Sequence, residues 1–162
     1  MERHDPSLRK LTPATLVKQI VQHGQVAPIA VPESTPVTAL PSFLVENRDC
    51  HTIAVVNEAG VLVGVIPVDV VIQHLLLHLM PEEFLGDVLK PGRAAEMARE
   101  EHARTAGELM DPPAYIFEAD TVREAFHATH GAGLQGIPVV DPDKRVTGYI
   151  SLLQLLLFGL QQ

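Results

Sequence analysis

Apolar runs occur in this chain in two pairs, and the second pair repeats the first. Ile53-Ala54-Val55-Val56 ends at Asn57 and is followed by Val61-Leu62-Val63-Gly64-Val65-Ile66. Ile137-Pro138-Val139-Val140 ends at Asp141 and is followed by Val146-Thr147-Gly148-Tyr149-Ile150. Ile53 and Ile137, like Gly64 and Gly148, are separated by 84 residues. Short apolar runs bounded by turn residues mark buried strands. One hairpin is therefore predicted from Thr52 to Val56 and Val61 to Ile66, turned by Asn57-Glu58-Ala59-Gly60. A second is predicted from Gly136 to Val140 and Arg145 to Ile150, turned by Asp141-Pro142-Asp143-Lys144. One repeat alone often cannot bury its own apolar face, so the two halves are expected to close on each other and leave a seam.

Helical spacing flanks both hairpins. Val68 to about Leu79, and Leu152 to about Leu160, are apolar around most of their circumference, which marks buried helices. Ahead of the second hairpin, Thr121-Val122-Arg123-Glu124 has the spacing of a capping box. Val122, Ala125, Phe126 and Thr129 form its predicted inward stripe, and Gly131 and Gly133 end the helix. Ahead of the first hairpin, Ser34-Thr35-Pro36-Val37 opens a helix with Leu40, Leu44 and Val45 on one face. Pro41 removes a donor and clashes one turn back, so this helix either bends or begins late. Thr12-Pro13 with Leu16, Val17, Ile20 and Val21 predicts an N-terminal amphipathic helix ended by Gly24. Ala27 to Val31 reads as a short strand or extended lead-in. Ala94 to Thr105 is a further helix former, with Glu100 and Arg104 one turn apart on a solvated face. The chain is thus α+β and divides into a helical extension (1–25), a first repeat (26–80), a helical linker (81–105) and a second repeat (106–162).

Composition narrows the function. The 162 residues, 46% hydrophobic and 20% charged, suit one domain of ordinary size. A net charge of −8 argues against a broad nucleic-acid-binding face. Val61 to Met80 has the hydropathy of a membrane span, but Pro67, Asp69, Gln73, His74 and His78 interrupt it. A spanning helix needs about 20 largely apolar residues, so the stretch reads as strand then helix, not membrane-embedded. The first ten residues lack the apolar core of a signal peptide, and a cytoplasmic protein is expected. Cys50 is the one cysteine, so no disulfide can form within the chain.

The sequence holds no nucleophile–base pair, no phosphate-cradling glycine loop and no metal-ligand set, and no catalytic activity is expected. His74 with His78, and His127 with His130, can each share a helix face. Zinc needs three or four ligands, and neither pair has an obvious third. Plain helix-face histidines are the simpler reading, with a pH response as the alternative.

Three segments carry a resemblance to a known family: Ile137-Pro138-Val139-Val140-Asp141, the strand–helix joint Gly148-Tyr149-Ile150-Ser151, and Ala106-Gly107-Glu108-Leu109-Met110. With their counterparts in the first half they resemble a tandem pair of CBS (cystathionine-β-synthase-type) domains, or Bateman module, over about Val26 to Leu160. The resemblance implies two β-α-β-β-α repeats packed through their sheets around a pseudo-twofold axis. It also implies two clefts, a disc-like homodimer, and a regulatory role on an effector protein. The implied ligand is of the adenosine type: AMP, ADP, ATP or S-adenosylmethionine. The family motif has Thr at the joint and, three residues later, an Asp that holds the ribose hydroxyls. Repeat two has Ser151 and Gln154 in these places; repeat one has Pro67 and Val70, with Asp69 one residue early. One residue on a helix turns a side chain by about 100°. The repeat-two cleft is therefore expected to bind better, and the repeat-one cleft to be weak or empty.

The residues suggest how a ligand would be held. Ile137 and Val139 could flank a ring, Gly64 and Gly148 could allow close approach, and Tyr149, Ser151, Gln154 and Asp69 stand at the joints. A helix N-terminus attracts anions through its unpaired N–H groups. Ser151 can either donate to the ligand or cap its own helix. Arg123, Lys144 and Arg145 are the nearest cations along the sequence for a phosphate. Leu76, Leu77, Leu79, Leu156, Leu157 and Phe158 could contact a second copy or simply fill the core. The alternative to a ligand-binding regulator is a ligand-free dimerisation or scaffold module.

Overall fold

Asn57 and Asp141 show how closely one half copies the other. In the computed structural model, which describes residues 15–23, 26–79 and 103–160, Asn57 Oδ1 accepts hydrogen bonds from the N–H groups of Ala59 and Val61, each 3.0 Å. Asp141 Oδ1 accepts from Asp143 and Arg145 at 2.9 and 3.0 Å. Such Asx turns fix a reversal by satisfying backbone donors locally. Each needs one residue in the left-handed region: Gly60 at φ 78° in the first turn, Lys144 at φ 61° in the second. A side chain there costs roughly 1–2 kcal/mol. Gly60→Ala should therefore lower unfolding stability by about 1 kcal/mol, while Lys144→Gly should leave it unchanged or raise it. Urea titration with the slope held constant would read both.

Around these turns the two repeats build matching sheets. The N-terminal extension carries α1 (Val17–His23), and repeat one contains β1 (Ala30–Pro32), a 3-10 turn (Val37–Ala39), α2 (Leu40–Glu46), β2 (Thr52–Val56), β3 (Leu62–Pro67) and α3 (Val68–Leu79). Repeat two contains α4 (Ala106–Leu109), β4 (Ile116–Phe117), α5 (Val122–Gly131), β5 (Gly136–Val140), β6 (Val146–Ser151) and α6 (Leu152–Leu160). Each repeat forms a three-stranded sheet, β1-β2-β3 and β4-β5-β6. The first pairing is parallel, Val31 opposite Val55 and Ile116 opposite Val139. The second is antiparallel, with Gly64 opposite Val55 and Gly148 opposite Val139. Even the irregularities match, between Val55 and Val56 and between Val139 and Val140.

Several expectations are sharpened. Pro41 resolves by a late start: a 3-10 turn ends at Ala39 and Pro41 falls in the first turn of α2, where a missing N–H costs nothing. The capping box at Thr121 and Glu124 forms as expected. Phe126 corrects the inward stripe of α5: Val122, Ala125 and Thr129 are buried, but Phe126 is 38% exposed. Strand β4, which no sequence pattern predicts, is two residues long and defined by its pairing to β5. The residues before Ala103 in the expected linker helix, Glu100 included, and Thr12-Pro13 and Gly24 lie outside the described residues.

The sheets face each other. Thr52 Oγ1 donates to Gly136 O at 2.9 Å, and Val61 bridges Arg145. Both pairs join equivalent positions of the two repeats, which can touch only where they straddle a pseudo-twofold axis. Ala54, Leu62 and Val65 from repeat one meet Leu134 and Val140 from repeat two in a buried cluster at this seam.

The leading segments cross the axis. Val17 N–H donates to Asp120 O at 2.9 Å and Val122 N–H to Thr15 O at 2.8 Å, so α1 is fastened to repeat two. Val37 N–H donates to Arg104 O at 3.0 Å and Ala106 N–H to Thr35 O at 2.8 Å, so α4 is fastened to repeat one.

Candidate functional site

The two strand–helix joints lie at the same end of the paired sheets, and each is closed by backbone bonds of the same kind. Leu152 N–H donates to Gln135 O and, 84 residues earlier, Val68 N–H donates to His51 O, both at 2.9 Å. The repeat-two joint then adds a second lock. Ser151 N–H donates to Gln154 Oε1 at 2.9 Å, and Gln154 N–H donates to Ser151 Oγ at 3.0 Å. This is a reciprocal capping box, so two residues expected at the ligand are engaged with each other. The signal was in the sequence: Ser-x-x-Gln ahead of an apolar helix is the spacing that motif requires. Ser151→Ala should cost about 1 kcal/mol through loss of the cap, with or without ligand; thermal unfolding would measure it.

Alternation along the strands sorts the other repeat-two candidates. Ile137, Val139 and Ile150 are fully buried with Val17 and Ile20 of α1 and Leu155 of α6 in the repeat-two core. Gly148 shares that face: a Cβ built there would come within 2.9 Å of Val21 Cγ1 on α1. Gly64 meets the other crossing segment, since a Cβ would overlap Met110 Sδ and lie 2.8 Å from Asp111 O. The glycines at both joints thus admit a leading segment of the chain itself. Tyr149 points to the opposite side of its sheet. It is 2% exposed within the repeat-one core, and its hydroxyl accepts from His51 N–H at 3.0 Å. Burial first of all raises the Tyr149 hydroxyl to about 12.

The remaining candidates divide by location. Asp69 is exposed in the first turn of α3, after Pro67. Asp111 N–H donates to Val65 O at 2.8 Å and Val65 N–H to Asp111 O at 3.2 Å, which sets Asp111 beside the repeat-one joint. Desolvation, then the charge of Asp69, raises the Asp111 carboxyl above the usual carboxylate range. Lys144 and Arg145 sit in the β5–β6 turn, at the other end of the sheet from Ser151. Arg123 opens α5, next to the end of β4 that pairs with Val140, and is far from the joint too.

A cavity of about 700 Å³ lies elsewhere, by the C-terminal half of α3, lined in part by Val37, Pro41, His74, His78 and Arg104. His74 and His78 share a face there, with ring centroids 4.7 Å apart. His127 and His130 are exposed on α5. Among the described residues no three His, Cys, Asp or Glu are grouped to hold a metal. Cys50 is buried, with Sγ donating to Thr52 O at 3.3 Å, and burial pushes its thiol up. No helix among the described residues is long and apolar enough to cross a membrane.

The CBS domain family model matches residues 17–77 and 106–159. No curated protein sequence matches the chain. Among solved structures, a CBS domain-containing protein from Thermotoga maritima is similar with a TM-score of 0.73 at 23% identity, over 93% of this chain and 98% of that one. The CBS domain pair of protein MJ0100, in complex with 5′-methylthioadenosine and S-adenosyl-L-methionine, gives a TM-score of 0.65 at 22% identity over 93% and 100%. CBSX2 in complex with AMP gives 0.62 at 18% identity over 91% and 97%. At these identities the likeness is one of fold: two repeats, each with a three-stranded sheet and helices.

Proposed function

The chain belongs to the CBS domain family, and on that premise we propose that it is a non-catalytic regulatory module that takes an adenosine-type ligand at the seam between its repeats. The observation that carries this reading is the closure of the two sheets on each other, with Thr52 bonded to Gly136 and both joints at one end of the seam. A small molecule held between two such halves stabilises whichever arrangement it fits better, and that difference in affinity is what a partner protein would sense. The similar structures solved with AMP and with S-adenosyl-L-methionine support the ligand class.

A panel of adenosine, 5′-methylthioadenosine, S-adenosylmethionine, AMP, ADP and ATP tests it by thermal shift and calorimetry. Ligands at about 100 times their Kd should add about 2.7 kcal/mol to folding stability. If none binds at millimolar concentration, the regulator reading fails. The second reading, a ligand-free scaffold, would then stand; the engaged Ser151–Gln154 pair and the filled glycine faces favour it.

Under either reading we propose that two copies pair through the outer helices. Ile72 and Leu79 on α3, and Leu153 and Leu156 on α6, are between 51% and 79% exposed. Leu76 and Leu77 are half-buried, and the side chains of Leu157 and Phe158 lie outside the described residues. Light scattering should give twice the 17.6 kDa chain mass; a monomer at micromolar concentration would refute pairing. We place the protein in the cytoplasm, as an actor on a separate effector protein.

A further inference from the structure

We propose that the cavity beside α3 is a second ligand site, independent of the seam, and that it takes a small organic acid with an apolar body, such as an aliphatic carboxylate of medium length. Three elements enclose it. The 3-10 turn and the first turn of α2 bring Val37 and Pro41, the C-terminal half of α3 brings His74 and His78, and the segment leading into repeat two brings Ala103 and Arg104. The frame is tied by main-chain bonds: Val37 N–H donates to Arg104 O at 3.0 Å, and Pro36 bridges Thr105. The volume, about 700 Å³, is that of a small-molecule site. It stands away from the repeat-one joint. Val68 opens α3, and His74 and His78 follow roughly 9 and 15 Å further along the helix axis.

Depth sorts the lining by chemistry. Val37, His74 and Ala103 form the floor and are between 2% and 7% exposed. Leu75 and Pro41 are half-buried, while Thr38, His78 and Arg104 are exposed at the rim. An apolar body would leave water against Val37, Pro41, Leu75 and Ala103, which favours its entry. Its charged head would stay at the rim, partly hydrated, where Arg104 stands. A planar guanidinium suits the two oxygens of a carboxylate and keeps its charge at any ordinary pH. One permanent cation matches a monoanion better than a phosphate dianion. The Glu108 carboxylate is engaged on the main chain at the start of α4, where Oε2 accepts from Arg104 N–H at 2.9 Å.

The two imidazoles add polar contacts inside the site. They lie on one face of α3, four residues apart, with ring centroids 4.7 Å apart and edge to face. A neutral imidazole carries one N–H donor and one acceptor nitrogen, so either ring can meet a carboxylate oxygen or a hydroxyl on the ligand body. A ligand seated here would touch repeat one and the segment that leads into repeat two at the same time. It would be a second input to the same module.

The test is calorimetric titration of the full chain with octanoate, 1-octanol and octylamine, repeated on the Arg104→Gln and Thr38→Trp variants. Both substitutions fall at exposed positions, and the thermal midpoint of each variant, recorded alongside, shows that it remains folded. Octanoate should bind once per chain and about tenfold more tightly than octanol, the scale of a hydrogen bond to a charged group, with octylamine weakest. Arg104→Gln should remove that preference and leave octanol binding as it was. Thr38→Trp, which puts a large side chain at the mouth, should weaken octanoate and octanol alike by about tenfold. Octanol binding as tightly as octanoate overturns the choice of an acid. Octanoate affinity unchanged in Thr38→Trp overturns the location and assigns the binding to the exposed leucines of α3 and α6. Failure of octanoate to bind at millimolar concentration overturns the site. Failure of the adenosine panel overturns the seam reading alone and leaves this site standing.

Discussion

Tyr149→Ala should cost about 3–5 kcal/mol of folding stability, the range for truncating a buried aromatic residue. Tyr149 belongs to β6 of repeat two, yet its side chain is buried in the repeat-one core and its hydroxyl accepts from His51 N–H. Truncation would therefore open a cavity in one repeat and unfasten it from the other. At this chain length each kcal/mol corresponds to roughly 2–4 °C in Tm, so the fall should be large and easily scanned. Tyr149→Phe keeps the ring and removes the hydroxyl, leaving His51 N–H without that partner, for about 1–2 kcal/mol.

The two variants also separate in alkali. The folded hydroxyl titrates near 12, against about 10 for an unfolded tyrosine. The native state thus holds this proton more firmly than the unfolded chain, and stability should drain away as pH rises from about 10 to 12. Tyr149→Phe should lack that portion of the alkaline loss. A Tyr149→Ala protein that melts within about 2 °C of the parent would show that the side chain does not join the repeats.

Gly64→Ala is expected to have the next largest effect, about 2–3 kcal/mol. The added methyl would meet Met110 Sδ, which can swing away, and the carbonyl oxygen of Asp111, which cannot. That carbonyl accepts from Val65 N–H, so displacing it breaks a bridge between the leading segment of repeat two and β3. Gly148→Ala should cost less, because its nearest neighbour is a methyl group of Val21 that can move with α1. Equal costs at the two sites, measured by urea unfolding, would refute this ordering.

Much of the fold was legible in the sequence because its signals are local. The hairpins are written in Ile53 to Ile66 and Ile137 to Ile150, and the capping box at Thr121 is complete within four residues. Helices α3 and α6 lie where their apolar runs put them, from Val68 to Leu79 and from Leu152 to Leu160. What stayed hidden depends on partners distant in the chain. Ile116–Phe117 is too short to show alternation and is a strand only by virtue of β5. Gly148 announces a close approach but not that Val21 makes it. Phe126 has the spacing of a buried residue, yet it lies at the margin of the packed face, with Val122, Ala125 and Thr129 buried instead. At the candidate site the residue types were legible, but not their engagement: Ser151 and Gln154 read as ligand contacts or as a cap, and the hydrogen bonds form the cap.

The exchange of leading helices bears on ancestry. A forebear with a single repeat could not have completed its own sheet face, because the helix that covers Gly148 is delivered from the opposite half. Such a forebear would have had to assemble in twos, each copy lending its first helix to its neighbour. Within one polypeptide the loan is reciprocal, so either half expressed alone should leave bare the face its twin covers.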